Sequence, residues 1–138
     1  MAIKEVLYRK ISAAERHLGR IREKRVVGLT EFLEDLDRQE SLLFNLLMAI
    51  QNCVDMASHI VNEEGPGIAG SINELFYLLE ERGILDHDLT ERMVRSVGFR
   101  NLLVHEYGKV DLDIVYRVAQ QDIHDLELFI RTIMKQFG

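Results

Sequence analysis

The apolar residues of this chain recur at helical spacing along almost its entire length, and this pattern limits the fold more than any other feature of the sequence. In residues 3–25 they follow steps of three and four, which places them on one face of a helix. The same spacing returns in residues 30–63, 71–83 and 88–107, and again from Leu112 to the end. No stretch of useful length shows the strict alternation of a half-buried strand. The pattern predicts an all-α fold, a bundle of four long helices plus a shorter one.

Polar residues at the starts of these segments predict where the helices begin. Ser71 followed by Glu74 has the pattern of a capping box, in which the serine oxygen accepts from the backbone N–H three residues on. The other residues predicted to cap helices are Thr30, Asp88 and Asp111. Between the second and third helices, Gly65-Pro66-Gly67 predicts a break in the chain.

Two positions indicate irregularity inside the predicted helices. The long second helix is expected to bend near residues 37–41. Gly98 lies within the fourth helix, where glycine costs about 1 kcal/mol relative to alanine. We therefore expect either a close approach of another helix at Gly98 or a local irregularity. The last helix, by contrast, shows a clean apolar stripe to the C-terminus, in which either Val118 or Ala119 can stand.

Length and composition favour a compact intracellular protein. The chain has 138 residues, which predicts a single domain over residues 1–138. The lone cysteine, Cys53, lies in an apolar run, so we expect a small core residue in a reducing compartment. No window approaches the run of about eighteen apolar residues that a membrane span needs. The N-terminus lacks the layout of a signal peptide, so we expect a cytoplasmic location and no membrane association.

Charge is distributed unevenly along the chain. The net charge is -6, but residues 1–25 hold eight Lys or Arg against three Glu, a local balance of +5 that leaves -11 for the remainder. An acidic protein binds nucleic acid through local positive charge and not by bulk attraction. A basic helix is more often a solvated face than an RNA-binding platform, so the charge alone does not assign this helix a function.

The segment from Arg100 to Tyr107 gathers residues capable of chemistry at the predicted end of the fourth helix. Asn101 and His105 lie four apart and share a helix face, and Arg100 and Tyr107, seven apart, also lie on one side. Arg100 and His105 are separated by about 140° around the axis. They can meet one ligand across the shallow side between them, or where the helix loosens at its end. The apolar triplet in the middle, residues 102–104, is expected to anchor the segment.

An arginine and a histidine in this segment suit the cleavage of RNA by its own 2′-hydroxyl. That reaction needs a base, an acid and a cation for the charge on the phosphorane. Histidine, with an ordinary pKa of about 6.5, can carry the proton in either direction, and arginine presents a charged fork that matches phosphate oxygens. The scheme requires no metal ion and no other cofactor. One chain supplies one such pair, so a homodimer with two facing copies would supply both proton carriers.

Each candidate residue also has a structural interpretation. A histidine near a helix C-terminus can satisfy the last carbonyls, and an arginine can be a surface charge. Asp55 and His59 form an i,i+4 pair on the second helix and could hydrogen-bond to each other or line a cleft. A bridged di-metal bundle needs Glu-x-x-His, which the sequence lacks, so no metal site is expected.

The motif resembles a known family. Arg100-Asn101-x-x-x-His105 matches the R-x(4–6)-H signature of the HEPN superfamily, in which a polar residue follows the arginine. The x-Tyr107 extension is similar to the HepT branch, also called the DUF86-like family. The resemblance covers most of the chain and includes residues 52–60 and 97–107. It implies a HEPN-type helical bundle.

The resemblance also implies a function. HepT proteins are homodimeric, metal-independent endoribonucleases and act as toxins of type VII toxin–antitoxin pairs. Their antitoxin is a minimal nucleotidyltransferase of the MntA type, which transfers AMP from ATP to the motif tyrosine. Carried over, Arg100 would stabilise the phosphate, Asn101 would orient or bind it, His105 would transfer protons and Tyr107 would accept AMP. The substrate would be RNA, with tRNA as one candidate. The rival hypothesis is a non-catalytic helical module that binds a nucleotide or a nucleotidyltransferase.

Overall fold

The structure is a computed structural model that describes residues 2–64 and 69–138. The predicted break at Gly65-Pro66-Gly67 lies outside these residues. The described part of the chain is helical and contains no strand. Its α-helices are α1 (Ala2–Lys24), α2 (Leu29–Leu33), α3 (Leu36–Glu64), α4 (Ile72–Glu81), α5 (His87–His105), α6 (Leu112–Arg117) and α7 (Ile123–Phe137). The predicted all-α class is confirmed: α1, α3, α5 and the continuous run from α6 into α7 are the long helices, and α4 is the shorter one.

The predicted helix starts are partly confirmed. Ser71 accepts from the backbone N–H of Glu74 at 3.2 Å and caps α4. Asp111 caps α6 and accepts from the backbone N–H of Asp113 at 2.9 Å. The prediction for Asp88 is wrong, because the capping carboxylate of α5 is Asp86, which accepts from the backbone N–H of Leu89 at 2.8 Å. Two aspartates stand two residues apart here, and the one with extended backbone takes the cap.

The predicted helix over residues 30–63 is divided in two. Thr30 lies inside the short α2, whose N-cap is Gly28, so the cap predicted at Thr30 is wrong. The chain then leaves the helix at residues 34–35, just before the predicted bend. Asp35 opens α3 because its carboxylate accepts from both the backbone N–H and the side-chain Nε–H of Arg38.

A π-helical turn over Val118–Asp122 joins α6 to α7. Such a turn accommodates one extra residue in the helix, which is why Val118 and Ala119 both face the core at 8% and 0% exposure. The turn is held by Arg25, which donates to the carbonyl of Ala119 at 3.2 Å. In return, Gln120 donates to the carbonyl of Arg25 at 2.6 Å.

Helix α3 is the centre of the bundle, and α1 lies antiparallel against it. Lys10 bonds to Asp55 near one end of this pair and His17 bonds to Asn45 towards the other. The buried side chains form one apolar cluster. Its largest fully buried members are Phe32, Phe76, Phe129, Leu7, Leu18, Ile21, Leu42, Leu46, Ile50, Met56, Ile60 and Leu79.

None of the described helices combines the length and the apolar character that crossing a bilayer would require.

Candidate active site

The motif occupies the last two turns of α5, and His105 is the final residue of that helix. The helix ends because the backbone of Glu106 leaves the helical region, and a 3₁₀ turn over Tyr107–Lys109 follows. The apolar triplet anchors the segment through Leu103, which is 2% exposed. Val104 is 47% exposed, so the triplet is not buried as a unit and part of this surface is apolar.

Two neutral amide oxygens hold the guanidinium of Arg100. Its Nε–H donates to Oε1 of Gln51 on α3 at 2.9 Å, and its Nη1 donates to Oδ1 of Asn101 at 2.8 Å. No described carboxylate pairs with Arg100, and its Nη2 bonds to no described residue. The side chain is half-buried. Arg100 is therefore held in place by neutral groups, and no described carboxylate forms an ion pair with it.

A further polar contact fixes the glutamine that holds Arg100. Nε2 of Gln51 donates to Oδ1 of Asp55 at 2.9 Å, one turn along α3. The other oxygen of Asp55 forms an ion pair with Lys10 on α1 at 3.0 Å. Side chains from three helices thus form a continuous chain, Lys10–Asp55–Gln51–Arg100, which we call the Gln51 bridge.

His105 lies on the surface of the molecule, at the end of α5. Its side chain is exposed and bonds to no side chain in the described part of the molecule. No hydrogen bond joins the described side chains of His105 and Arg100, in keeping with their angular separation on the helix. Tyr107 begins the 3₁₀ turn, and its side chain is outside the described atoms.

The two residues proposed for the cleft on α3 have different environments. Asp55 belongs to the Gln51 bridge and is connected through it to Arg100. His59 is half-buried, and its Nε2 is enclosed without a partner among the described residues. The hydrogen bond between Asp55 and His59 that their spacing allowed does not form. Cys53 is fully buried, and this burial, with the charges of Asp55 and Glu15, raises the pKa of its thiol far above the ordinary value.

The sequence interpretation missed Gln51 and Lys10. Gln51 stands 49 residues from Arg100, and Lys10 stands 45 residues from Asp55, so neither contact has a local signature. A signal did exist in the spacing: Gln51 and Asp55 lie four apart on one face of α3, in its largely apolar middle part, where a polar pair implies a partner from another helix. Among the described residues, no three His, Cys, Asp or Glu side chains gather as a metal-binding group.

An all-α bundle with an Arg-x₄-His motif at the end of a long helix is the arrangement of HEPN proteins, and comparison with known proteins identifies the family. Residues 14–133 match the model of the family described as ribonuclease HepT-like. The chain belongs to this family, whose members are RNA-cleaving enzymes. It is 33% identical over 129 residues to the mRNA nuclease HepT of Shewanella oneidensis, covering 94% of this chain and 96% of that protein. It is 24% identical to the tRNA nuclease HepT of Aphanizomenon flos-aquae, covering 93% and 87%.

Solved structures agree with this assignment. The tri-AMPylated Shewanella oneidensis HEPN toxin, in complex with its MNT antitoxin, superposes with a TM-score of 0.87 at 32% identity. The match covers 94% of this chain and 97% of that one. A toxin–antitoxin structure with AMP-PNP gives a TM-score of 0.88 at 31% identity over 95% and 98% of the two chains.

Proposed function

We propose that this chain is the toxin of a toxin–antitoxin pair and cleaves RNA without a metal ion, with Arg100 and His105 as its catalytic residues. The observation that carries the proposal is the state of Arg100. It is a guanidinium fixed by Gln51 and Asn101 and without a carboxylate partner among the described residues. It stands five residues from an exposed histidine. The names of the relatives, an mRNA nuclease and a tRNA nuclease, support RNA as the substrate.

Arg100 is suited to bind the scissile phosphate. A guanidinium that is already paired with a carboxylate has to give up that partner before it can bind another anion, whereas amide oxygens leave its charge available. Its Nη2 and the Nδ2 of Asn101 make no hydrogen bond to described residues, so both remain as donors for phosphate oxygens. In the transition state these donors would stabilise the extra negative charge on the phosphorane.

His105 is suited to move protons. Its exposed ring can reach a substrate lying over the end of α5, and an imidazole exchanges protons near neutral pH. One ring would take the proton of the 2′-hydroxyl, and a second ring would give a proton to the leaving 5′-oxygen. The phosphodiester bond to that oxygen breaks as the 2′-oxygen bonds to phosphorus, which leaves a 2′,3′-cyclic phosphate.

The second histidine would come from a second copy of the chain. Gly98, Asn101 and His105 follow steps of three and four and share one face of α5. That face is open at Gly98, where a Cβ would meet no described atom within 4 Å, so none of the described helices of this chain explains the glycine. A partner chain packing here would place two motif copies opposite each other, with the exposed Val104 at the contact. Gly98 would then allow a close approach of the two chains, which is one of the two explanations expected for a glycine inside this helix.

An antitoxin would control this site by placing a negative charge close to Arg100. The proposed partner is a minimal nucleotidyltransferase of the MntA kind, as the toxin–antitoxin neighbours and the tri-AMPylated relative support. We propose Tyr107 as the acceptor of AMP from ATP. The tyrosine oxygen would attack the α-phosphate of ATP and pyrophosphate would leave. The added phosphate would lie two residues from His105, where it could occupy Arg100 and repel an RNA backbone.

The test is RNA cleavage by purified protein in the presence of EDTA, with total tRNA and total mRNA as separate substrates. Wild type should cut and leave 2′,3′-cyclic phosphate ends. His105→Ala should lose at least about 100-fold in rate, the scale of a missing proton carrier. His87→Ala is the matched control, because His87 is also an exposed histidine at a terminus of α5 and lies at the opposite end. Absence of cleavage, with retained binding to a nucleotidyltransferase, would favour the non-catalytic module.

A further inference from the structure

We infer that Gln51 is a positioning residue for Arg100, and that Asp55, itself held by Lys10, sets the orientation of the Gln51 amide. The inference rests on the proposed function, because it assigns the reason why Arg100 can act on a phosphate. Gln51 touches neither the substrate nor the reacting atoms in this account. It acts through the guanidinium that it holds.

The bonding around Gln51 permits only one orientation of its amide. A carboxylate can only accept hydrogen bonds and a guanidinium can only donate them. The amide nitrogen must therefore face Asp55 at 2.9 Å, and the amide oxygen must face Arg100 at 2.9 Å. A rotated amide would set its NH₂ group against the guanidinium and its oxygen against the carboxylate, so both bonds would be lost.

A glutamine at this position holds the arginine without neutralising it. The nearest carboxylate in the chain of contacts, Asp55, is separated from Arg100 by the amide and is compensated by Lys10 at 3.0 Å. The charged groups bonded around position 51 are thus Lys10 on α1, Asp55 on α3 and Arg100 on α5. Because Gln51 is neutral, Arg100 keeps its charge for an incoming phosphate and is also fixed in direction.

Two substitutions at position 51 separate positioning from mere packing. Gln51→Leu removes the acceptor and leaves the Nε–H of Arg100 without its partner. Gln51→Glu keeps the shape but places a carboxylate against Arg100, which forms an ion pair and competes with phosphate. When that glutamate is protonated, its C=O faces Arg100 and its O–H faces Asp55, which reproduces the bonding of the amide.

Steady-state cleavage of total tRNA in EDTA is the measurement, with Gln121→Leu as the control at an exposed glutamine on the π turn. Gln51→Leu should lower kcat by about 10-fold to 100-fold, the scale of a misplaced catalytic group, with KM changed by less than about threefold. Gln51→Glu should be impaired at about pH 7.5. Its rate relative to wild type should rise at least about threefold towards about pH 5, near the ordinary glutamic acid range. The rate of Gln51→Leu relative to wild type should not change with pH over the same range.

A rate within twofold of wild type for Gln51→Leu, or a flat ratio for Gln51→Glu, overturns the inference. If Gln51→Leu does not fold, the pH ratio of Gln51→Glu decides alone. Arg100→Ala is assayed beside them. An inactive Arg100→Ala with active Gln51 variants removes only the positioning role, whereas an active Arg100→Ala removes the proposed function.

The hydrogen exchange rate of the Arg100 Nε–H, measured by nitrogen-15 NMR, gives a readout independent of cleavage. It should rise roughly tenfold in Gln51→Leu, since the Nε–H loses its acceptor. An unchanged exchange rate contradicts the inference even if no RNA is cut.

Discussion

Arg100 and Asn101 are neighbours in sequence and are also bonded side chain to side chain, with Nη1 of the arginine 2.8 Å from Oδ1 of the asparagine. Successive residues on a helix point about 100° apart, so this contact requires the asparagine oxygen to turn towards the guanidinium. Asn101 thereby uses its acceptor on Arg100 and keeps its amide donors. This explains why a polar residue with both an acceptor and donors is useful directly after the arginine.

Subunit mixing tests whether two chains share one site. If each dimer has a single groove that needs both histidines, a dimer with one His105→Ala chain is inactive. When equal amounts of wild type and variant exchange subunits to equilibrium, random pairing leaves about one quarter of the dimers with two wild-type chains. The mixture should therefore have about one quarter of the activity of wild type alone at the same total protein concentration. About one half would show that each chain acts alone. Mixing with His87→Ala should leave the activity unchanged.

Tyr107→Phe tests the proposed site of modification. Incubated with the cognate nucleotidyltransferase and ATP, wild type should gain AMP by mass spectrometry and lose RNA cleavage. The variant lacks the acceptor oxygen, so it should gain no AMP and remain active. Tyr8→Phe, at an exposed tyrosine on α1, should behave as wild type. AMP on the Tyr107→Phe protein, with loss of its activity, would place the acceptor elsewhere.

The link between α1 and α7 predicts a pH-dependent stability. Burial disfavours the charged form of Glu127, but hydrogen bonds from Arg22 and His124 and their charges outweigh it, so its pKa lies below the ordinary 4.5. A carboxylate whose pKa is lowered by folding stabilises the folded state at any pH above its pKa in the unfolded chain. This stabilisation is lost as the pH falls through the pKa of the same group in the folded chain. Glu127→Gln should cost about 1 kcal/mol in denaturant unfolding at neutral pH.

The difference between wild type and Glu127→Gln should shrink as pH falls below 4.5. Glu40→Gln, at an exposed glutamate, should show no such difference at any pH. A constant difference between wild type and Glu127→Gln down to acid pH would contradict the assignment.

The π turn predicts that one residue can be removed from the chain without loss of the core. Deletion of the exposed Gln121 should convert the turn to regular α-helix and keep α6 and α7 in register, because the turn holds one extra residue. Thermal unfolding should stay cooperative, with a midpoint near that of wild type. Deletion of Leu128 rotates Phe129, Ile130 and Ile133 away from the core and should abolish the cooperative transition. Equal damage from both deletions would refute this account of the turn.

Much of the fold follows from apolar spacing, and its exceptions have physical causes. The buried stripe of α1 was predictable because a single phase fits the whole segment. In the last helix the apolar stripe can pass through either Val118 or Ala119. Both residues are buried, because the π turn adds one residue and shifts the position of the stripe around the helix. Helix starts were less certain, since Asp86 and Asp88 are equally good caps and the choice depends on the backbone that precedes them.

The placement of the candidate site residues in the fold was predictable only where they adjoin in sequence. Arg100, Asn101 and His105 fall within six positions and could be placed on one helix from spacing. The partner of Arg100 could not, because Gln51 meets it only when α3 and α5 pack together. Packing also decided that Asp55 bonds to Lys10 and Gln51 instead of His59.

The rate of RNA cleavage in EDTA by Arg100→Ala beside Arg131→Ala tests most directly whether Arg100 takes part in catalysis. Both variants remove one arginine, but Arg131 is an exposed residue on α7, away from the motif. Arg131→Ala should cleave as wild type does, whereas Arg100→Ala, still folded, should lose at least about 100-fold in rate, the scale of a missing transition-state donor. Equal cleavage by the two variants would contradict it.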